Sequence, residues 1–202
     1  MIFVISGPSG CGKSTLVRNV LEEIDNIEFS VSFTTRKMRD EEKEGKDYYF
    51  VSKEKFEQMI EEEMLAEWAV VHGHYYGTSR REIEKKGAGK DILLDIDVQG
   101  AQKIREKFRK AVFIFILPPV FQELKRRLQK RGQERPKVVK ERLEVAKREI
   151  RHYPHFDYII INDKLDDAVH ELKSIIVGMK CRTDLRQKEI LPILRSFSEG
   201  EI

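Results

Sequence analysis

Short apolar runs rich in β-branched residues alternate along this chain with longer stretches in which apolar positions recur every three or four residues. The first run covers residues 2–5 and the first periodic stretch 13–24; further runs lie at 92–96, 112–117 and 158–161. Helical periodicity fits 98–108, 120–130, 137–152 and 165–180. Short, wholly apolar runs suit a parallel sheet, because crossover helices cover both of its faces. Pro118 and Pro119 end the run at 112–117, since proline cannot donate to a strand ladder. Between the first helix and residue 92 the pattern changes to runs at 28–33, 48–51 and 65–71, with helical stretches at 53–63 and 79–86. This predicts a small mixed insert on the parallel core, and a substrate site is expected there. After Cys181 a short helical pattern around 185–194 carries no legible function.

The predicted class is therefore α/β, a parallel sheet covered by helices with a small mixed α/β insert. At 202 residues the chain buries enough core for one domain without disulfides or a structural metal. No internal repeat or low-complexity linker interrupts it. Charged residues make up 36%, yet they nearly cancel to +3, too small an imbalance for nucleic acid as the main partner. Small anionic ligands need only local basic clusters. The stretch at 126–147 is one such cluster, readable either as a solvated helical surface or as a gathering of cations for a ligand. Cys11 and Cys181 have no spacing that suggests a disulfide framework or zinc site, which predicts a reducing cytoplasm. The apolar run that follows Met1 is too short for a membrane span and unlike a signal peptide, so no membrane partner is expected. Abundant Lys, Glu and Arg with only three Asn suit a heat-adapted source. Oligomeric state leaves no trace in the pattern.

Gly7-Pro8-Ser9-Gly10-Cys11-Gly12-Lys13-Ser14 matches a phosphate-binding loop, placed between an apolar strand and a helix as that chemistry requires. Its glycines let consecutive backbone N–H groups converge on phosphate oxygens, and the helix N-terminus adds partial positive charge. Lys13 is expected to reach the β- and γ-phosphates and the Ser14 hydroxyl to coordinate Mg²⁺, with Thr15 completing the loop. ATP or GTP binding follows, whereas the reaction does not, because many enzyme classes share the loop. Cys11, near Lys13 and a helix N-terminus, is expected to be the more reactive cysteine. A chain this short leaves room for a compact kinase with a small acceptor. Arg36 and Arg39 stand just after a predicted strand, and Tyr48 and Tyr75-Tyr76-Gly77-Thr78 offer hydroxyl donors. Such groups suit an acceptor phosphate, although solvation for the arginines and packing for the tyrosines explain them equally.

Gly7 to Thr15, Ser30-Val31-Ser32-Phe33-Thr34-Thr35-Arg36, Gly45-Lys46-Asp47-Tyr48, Glu67-Trp68-Ala69, Tyr75-Tyr76-Gly77 and Leu94-Asp95-Ile96-Asp97-Val98-Gln99-Gly100 together resemble the successive signatures of the guanylate kinase family. The resemblance implies ATP and GMP as substrates with Mg²⁺ as cofactor. It also implies a core at about 1–32, 91–125 and 150–181, a GMP-binding region at about 33–90, a lid at about 126–149 and a tail at 182–202. Carried over, Arg36, Arg39, Tyr48 and Tyr76 hold the GMP phosphate, while Ser32, Glu67, Thr78 and Asp97 surround guanine. Asp95 sits near Mg²⁺ or its waters, Arg127, Arg131 and Arg142 match the lid arginines, and Asn162 lies where the family approaches adenine. Thr78 departs from a common serine by one methyl group, and residues 132–137 lack the Thr, Ser and acidic residues often found in the lid.

Guanine presents N1–H and the N2 amino group side by side, so one carboxylate can accept both, whereas adenine offers an acceptor at N1. A site built this way can reject the wrong base by about 10⁴ to 10⁵. The acceptor phosphate is already ionised near neutral pH, its second pKa being about 6. Catalysis then rests on alignment and charge neutralisation, assigned to Lys13, Arg36, Arg127, Arg131 and Arg142, with Asp95 positioning the metal. Three other readings compete: a kinase for another nucleoside monophosphate, a guanylate-kinase-like peptide-binding module without catalysis, and a P-loop GTPase switch. Glu67 with Asp97 opposes the first and the intact phosphate loop the second; the third lacks an Asn-Lys-x-Asp run.

Overall fold

Residues 2–5 become strand β1 (Ile2–Ser6), and its alternating side chains feed two separate cores. The computed structural model of the protein describes residues 1–86, 90–130 and 136–199. The first sheet contains β1, β2 (Ile27–Phe29), β7 (Asp91–Asp95), β8 (Val112–Leu117) and β9 (Tyr158–Ile161) in the order β2-β7-β1-β8-β9. Every pair in it is parallel, with Val4 opposite Leu94 on one side and Phe113 on the other. Phe3, Ile5, Ile114 and Ile116 pack against α1 (Lys13–Glu23) and α7 (Leu165–Lys180). Val4, Leu94 and Phe113 face α3 (Arg80–Lys86) and α4 (Val98–Lys107). Burying such a side chain contributes roughly 1.5 to 3 kcal/mol, so the alternation at period two holds helices on both faces.

A second, four-stranded sheet is inserted between β2 and β7. Its strands are β3 (Ser32–Thr34), β4 (Tyr48–Phe50), β5 (Leu65–Val71) and β6 (His74–Ser79), in the order β4-β3-β6-β5. Helix α2 (Lys53–Glu61) begins at Ser52, whose hydroxyl accepts from Lys55 N–H, and buries Phe56 and Met59 against Leu65. The remaining helices are α5 (Phe121–Lys130), α6 (Pro136–Glu149) and α8 (Gln187–Glu199), with a 3-10 turn at Ile150–His155.

The structure departs from the sequence pattern in four places. The run at 28–33 is two strands: Ser30 N–H makes its last bond to Leu93 O of the first sheet, and β3 then joins the second. Hydrophobic alternation carries no record of which sheet a strand pairs with. Residues 74–79 form β6, a hairpin partner of β5 across a turn at His72 and Gly73, where the hydrophobic pattern predicts no strand. The helix at 137–152 ends at Glu149 and tightens into the 3-10 turn, which contains Pro154. The tail helix runs to Glu199 instead of 194 and leaves Leu191, Ile193, Leu194 and Phe197 exposed. Among the described residues no helix is long and apolar enough to cross a membrane.

Candidate active site

Ligand sites in open α/β sheets gather at the carboxyl ends of the strands, and the predicted residues meet there. The phosphate loop follows β1, Asp95 ends β7, Asp97 comes two residues later, and Asn162 follows β9. The first turn of α1 contains no acidic residue and its N-cap makes no side-chain hydrogen bond, so no carboxylate offsets the partial positive charge of the helix N-terminus. Lys13 Nζ donates to Gly7 O at 2.8 Å, which folds the ammonium back over the loop. Ser14 Oγ stands 3.4 Å from Asp95 Oδ2. A hydroxyl and a carboxylate this close match the hard oxygen donors that Mg²⁺ takes alongside substrate phosphate.

The loop is braced from behind by two side chains assigned other duties from the sequence. Asn162 Nδ2 donates to Cys11 O at 2.8 Å, and Arg127 donates to the same carbonyl at 3.1 Å and to Asn162 O at 2.9 Å. Glu123, four residues before Arg127 on α5, accepts from its Nε at 2.7 Å. Gly12 is needed at this junction, because a β-carbon there would lie 2.4 Å from Asn162 Nδ2. Leu124 and Leu128 of α5 join Val139, Leu143 and Ala146 of α6 in a small core of their own. Arg142 on that helix is buried, only 8% exposed. Arg131 and most of the stretch at 132–137 lie outside the described residues.

The expectation for Cys11 fails. Its thiol is fully buried, and burial raises its pKa although Lys13 pulls the other way. Cys181 is the exposed cysteine. An electropositive neighbour activates a thiol only where the thiolate keeps some solvation.

The second sheet presents the remaining groups, with Tyr48 near enough to Asp95 to feel its charge. Arg36 NH1 and NH2 donate to the two oxygens of Glu42 at 2.8 and 2.7 Å, while its Nε donates to Tyr76 OH at 3.2 Å. The guanidinium carbon also lies 5.3 Å from the Tyr48 ring centroid. Arg39 joins through its backbone N–H, which donates to Glu42 at 2.9 Å, and its half-exposed guanidinium pairs with the same carboxylate at 3.9 Å. Burial works against both charges, yet their mutual hydrogen bonds raise the pKa of Arg36 and lower that of Glu42. Burial raises the pKa of the Tyr48 phenol, and the negative charge of Asp95 adds to the effect.

Glu67, on β5, is 4% exposed and accepts from Thr78 Oγ1 at 2.6 Å. Burial pushes its pKa up to about 7, aided by Asp97 and opposed by the Thr78 bond and the charge of Lys103. Asp97 is also the N-cap of α4, its Oδ1 accepting from Gly100 N–H at 2.8 Å. Ser32 is buried on β3, in register with Tyr48.

Sequence reasoning missed Glu42, Glu123, Glu149, Lys103 and Lys107. Glu149 approaches the phosphate loop, accepting from Ser9 N–H at 3.3 Å, and its pKa is raised, first by burial. Only the spacing of Glu123 and Arg127, four apart on a helix, was a usable signal. Glu42 reaches Arg36 and Arg39 within a loop that carries no periodic pattern, and Glu149, Lys103 and Lys107 act across long stretches of chain.

Residues 1–178 match the family model described as guanylate kinase. The chain is 48% identical to guanylate kinase of Geobacter sulfurreducens over 91% of each chain. It is 43% identical to guanylate kinase of Caldanaerobacter subterraneus subsp. tengcongensis, over 98% of this chain and 96% of the relative. Among solved structures, guanylate kinase from Anaplasma phagocytophilum superposes with a TM-score of 0.80 at 37% identity, over 95% and 93% of the two chains. By the family model over residues 1–178 and by these relatives at 37–48% identity over nearly the whole chain, this chain belongs to the guanylate kinase family.

Proposed function

We propose that this guanylate kinase transfers the γ-phosphoryl group of MgATP to GMP across the cleft between its two sheets, giving ADP and GDP. The observation that carries the reading is Glu67, a buried carboxylate fixed by Thr78 and facing the head of α4. Its two oxygens suit the N1–H and N2 amino donors of guanine, and Ser32, Thr78 and Asp97 complete the base pocket. Arg36, Arg39, Tyr48 and Tyr76 hold the GMP phosphate. Residues 33–90 then serve as the GMP-binding region and 126–149 as a lid over the parallel core.

No general base is needed, because the acceptor oxygen is already ionised near neutral pH. Lys13 and the loop amides hold the donor phosphates, while Arg36 holds the acceptor in line. Arg127 keeps the loop in shape, and Arg142 and Arg131 bring positive charge from the lid. Arginines in this role contribute about 10³ to 10⁵ in rate. Ser14 and Asp95 would hold Mg²⁺, which when bound neutralises charge on the β- and γ-phosphates. Asn162 is assigned to loop support, since its amide is committed to Cys11 O. Phosphorylated nucleotide substrates and two free cysteines fit a reducing cytoplasm.

Measuring ADP release with GMP, AMP, UMP and CMP tests the assignment. Turnover with GMP at least about a hundredfold above the others is expected, since a wrong base leaves more than one buried polar group of the site unpaired. Equal turnover with AMP overturns the base reading. Tight peptide binding with no turnover overturns the kinase assignment itself.

A further inference from the structure

Strand β5, which carries Glu67, is an edge strand with β6 on one side only. The register with β6 shifts between Leu65 and Glu67, and the carbonyls of Ala66 and Trp68, on either side of Glu67, both turn toward α4. Both are taken by α4. Lys103 Nζ donates to Trp68 O at 2.5 Å, and Lys107 Nζ donates to Ala66 O at 2.6 Å. Lys103 also rests over the Trp68 ring, 4.6 Å from its centroid. The same helix touches the side chain between those carbonyls, since a β-carbon on Gly100 would stand 2.5 Å from Glu67 Oε2. Gly100, Lys103 and Lys107 follow the spacing of a single helix face.

Open edge carbonyls can be satisfied by water, whereas holding a lysine still costs up to about 2 kcal/mol of side-chain freedom. Two lysines committed to the carbonyls on either side of one residue therefore act on that residue's position. We propose that Lys103 and Lys107 are positioning residues for guanine selectivity, pinning the backbone around Glu67 to α4 so that its carboxylate meets both guanine donors. The inference rests on Glu67 being the base reader.

The cleft behind β5, about 290 Å³, is lined by Glu63, Glu67, Arg80, Lys103 and Lys107 among others. Asp97 at the cap of α4, Lys103 on α4 and the Thr78 hydroxyl from β6 act on the Glu67 carboxyl, and Lys107 from α4, Arg80 from α3 and Glu63 ahead of β5 share the lining of that cleft. Of these, Lys103 counteracts burial and favours the carboxylate form that guanine needs.

The test compares Lys103→Met, Lys107→Met, the double variant, the two Lys→Arg variants and Glu67→Gln in the full chain. GMP and IMP are the acceptors, and thermal midpoint and ATP KM serve as fold checks. The double methionine variant is expected to raise KM for GMP roughly tenfold, as for one charged hydrogen bond. The preference for GMP over IMP, which lacks the N2 amino group, should fall, with kcat and ATP KM within about twofold of the parent. Arginine, which keeps donors and charge, should restore much of the preference. If Glu67→Gln erases the preference while the methionine variants keep it, the positioning inference is overturned and the base reading stands. If Glu67→Gln also keeps it, both fall. Parallel losses in kcat, GMP KM and ATP KM reduce the lysines to general stability and overturn the inference.

Discussion

The Thr78 hydroxyl donates to Glu67 at 2.6 Å with both residues buried, so one of the two carboxylate oxygens is fixed before any base arrives. Burial raises the Glu67 pKa to about 7 from its ordinary 4.5, and two opposite pH dependences follow. The folded protein holds a proton that the unfolded chain releases. This contribution to stability is therefore fully present below about 4.5 and is lost as pH rises through about 7, by a few kcal/mol at most. The guanine contacts proposed for Glu67 require the carboxylate, so GMP binding through them below that pH expels the proton. Calorimetry at pH 6 in buffers of different ionisation enthalpy should detect more proton release in the parent than in Glu67→Gln. The GMP phosphate, with its second pKa of about 6, contributes equally to both and cancels in the difference. Thr78→Val should move the transition to higher pH, because that bond favours the charged form. Identical proton release in parent and Glu67→Gln would contradict the titration.

Glu42 occupies the edge of Arg36 that a phosphate would use, which admits two roles, holder or competitor. Geometry favours the holder: Glu42 also accepts from Arg39 N–H, and Tyr76 fixes the third side of the guanidinium. Glu42→Gln keeps the size and removes the charge. The two side chains are 15% and 12% exposed, so the lost interaction is little screened and lies at about 1.5 to 3 kcal/mol. GMP KM should rise roughly tenfold or more while ATP KM stays put. A lower GMP KM would make Glu42 a competitor for the phosphate position.

The local parts of the site were legible in the sequence and the long-range parts were not. The phosphate loop could be read because strand, glycines, lysine and helix follow one another within fifteen residues, and each carries its own signal. Arg36 was singled out with solvation an equal reading, and Glu67 was reached only through resemblance, since a charged residue on or beside a short strand has the same local pattern whether it faces solvent or substrate. Lys103 and Lys107 left no signal, because their partners are backbone carbonyls that any residue supplies. The Asp97 cap was readable in principle, an aspartate directly before a helical pattern, but its guanine assignment obscured it. Cys11 shows the opposite error: its electropositive neighbours were visible in sequence, while the burial that outweighs them depends on tertiary packing.

Limited alkylation followed by mass spectrometry should label Cys181 well before Cys11. Cys181 is exposed, with Arg186 NH2 3.4 Å from its sulfur, whereas Cys11 is sealed beneath the loop. Labelling of Cys11 should require global or local unfolding and rise with denaturant, and MgATP should leave Cys181 labelling unchanged. Early labelling of Cys11 in the native protein would mean that the loop opens readily in solution.

Arg127 and Arg142 are both expected to matter, and the structure separates how. Arg127 uses its guanidinium on Cys11 O, Asn162 O and Glu123, so Arg127→Met leaves two backbone carbonyls and one carboxylate without that partner behind the phosphate loop. Loop geometry governs ground-state binding and transfer alike. ATP KM should therefore rise while kcat falls. Arg142 is buried on α6 beside the small core shared with α5, and its charge is assigned to the transferring phosphoryl group. Methionine keeps much of its apolar stem, so Arg142→Met should lower kcat by at least about a hundredfold, with KM for either substrate changed far less. Steady-state kinetics with each substrate varied at saturating partner, alongside a thermal midpoint for each variant, distinguish the two patterns. Should Arg142→Met keep near-normal kcat, the arginine is a packing element of the helical pair. Should it raise ATP KM as Arg127→Met does, its charge acts on the bound nucleotide before transfer begins.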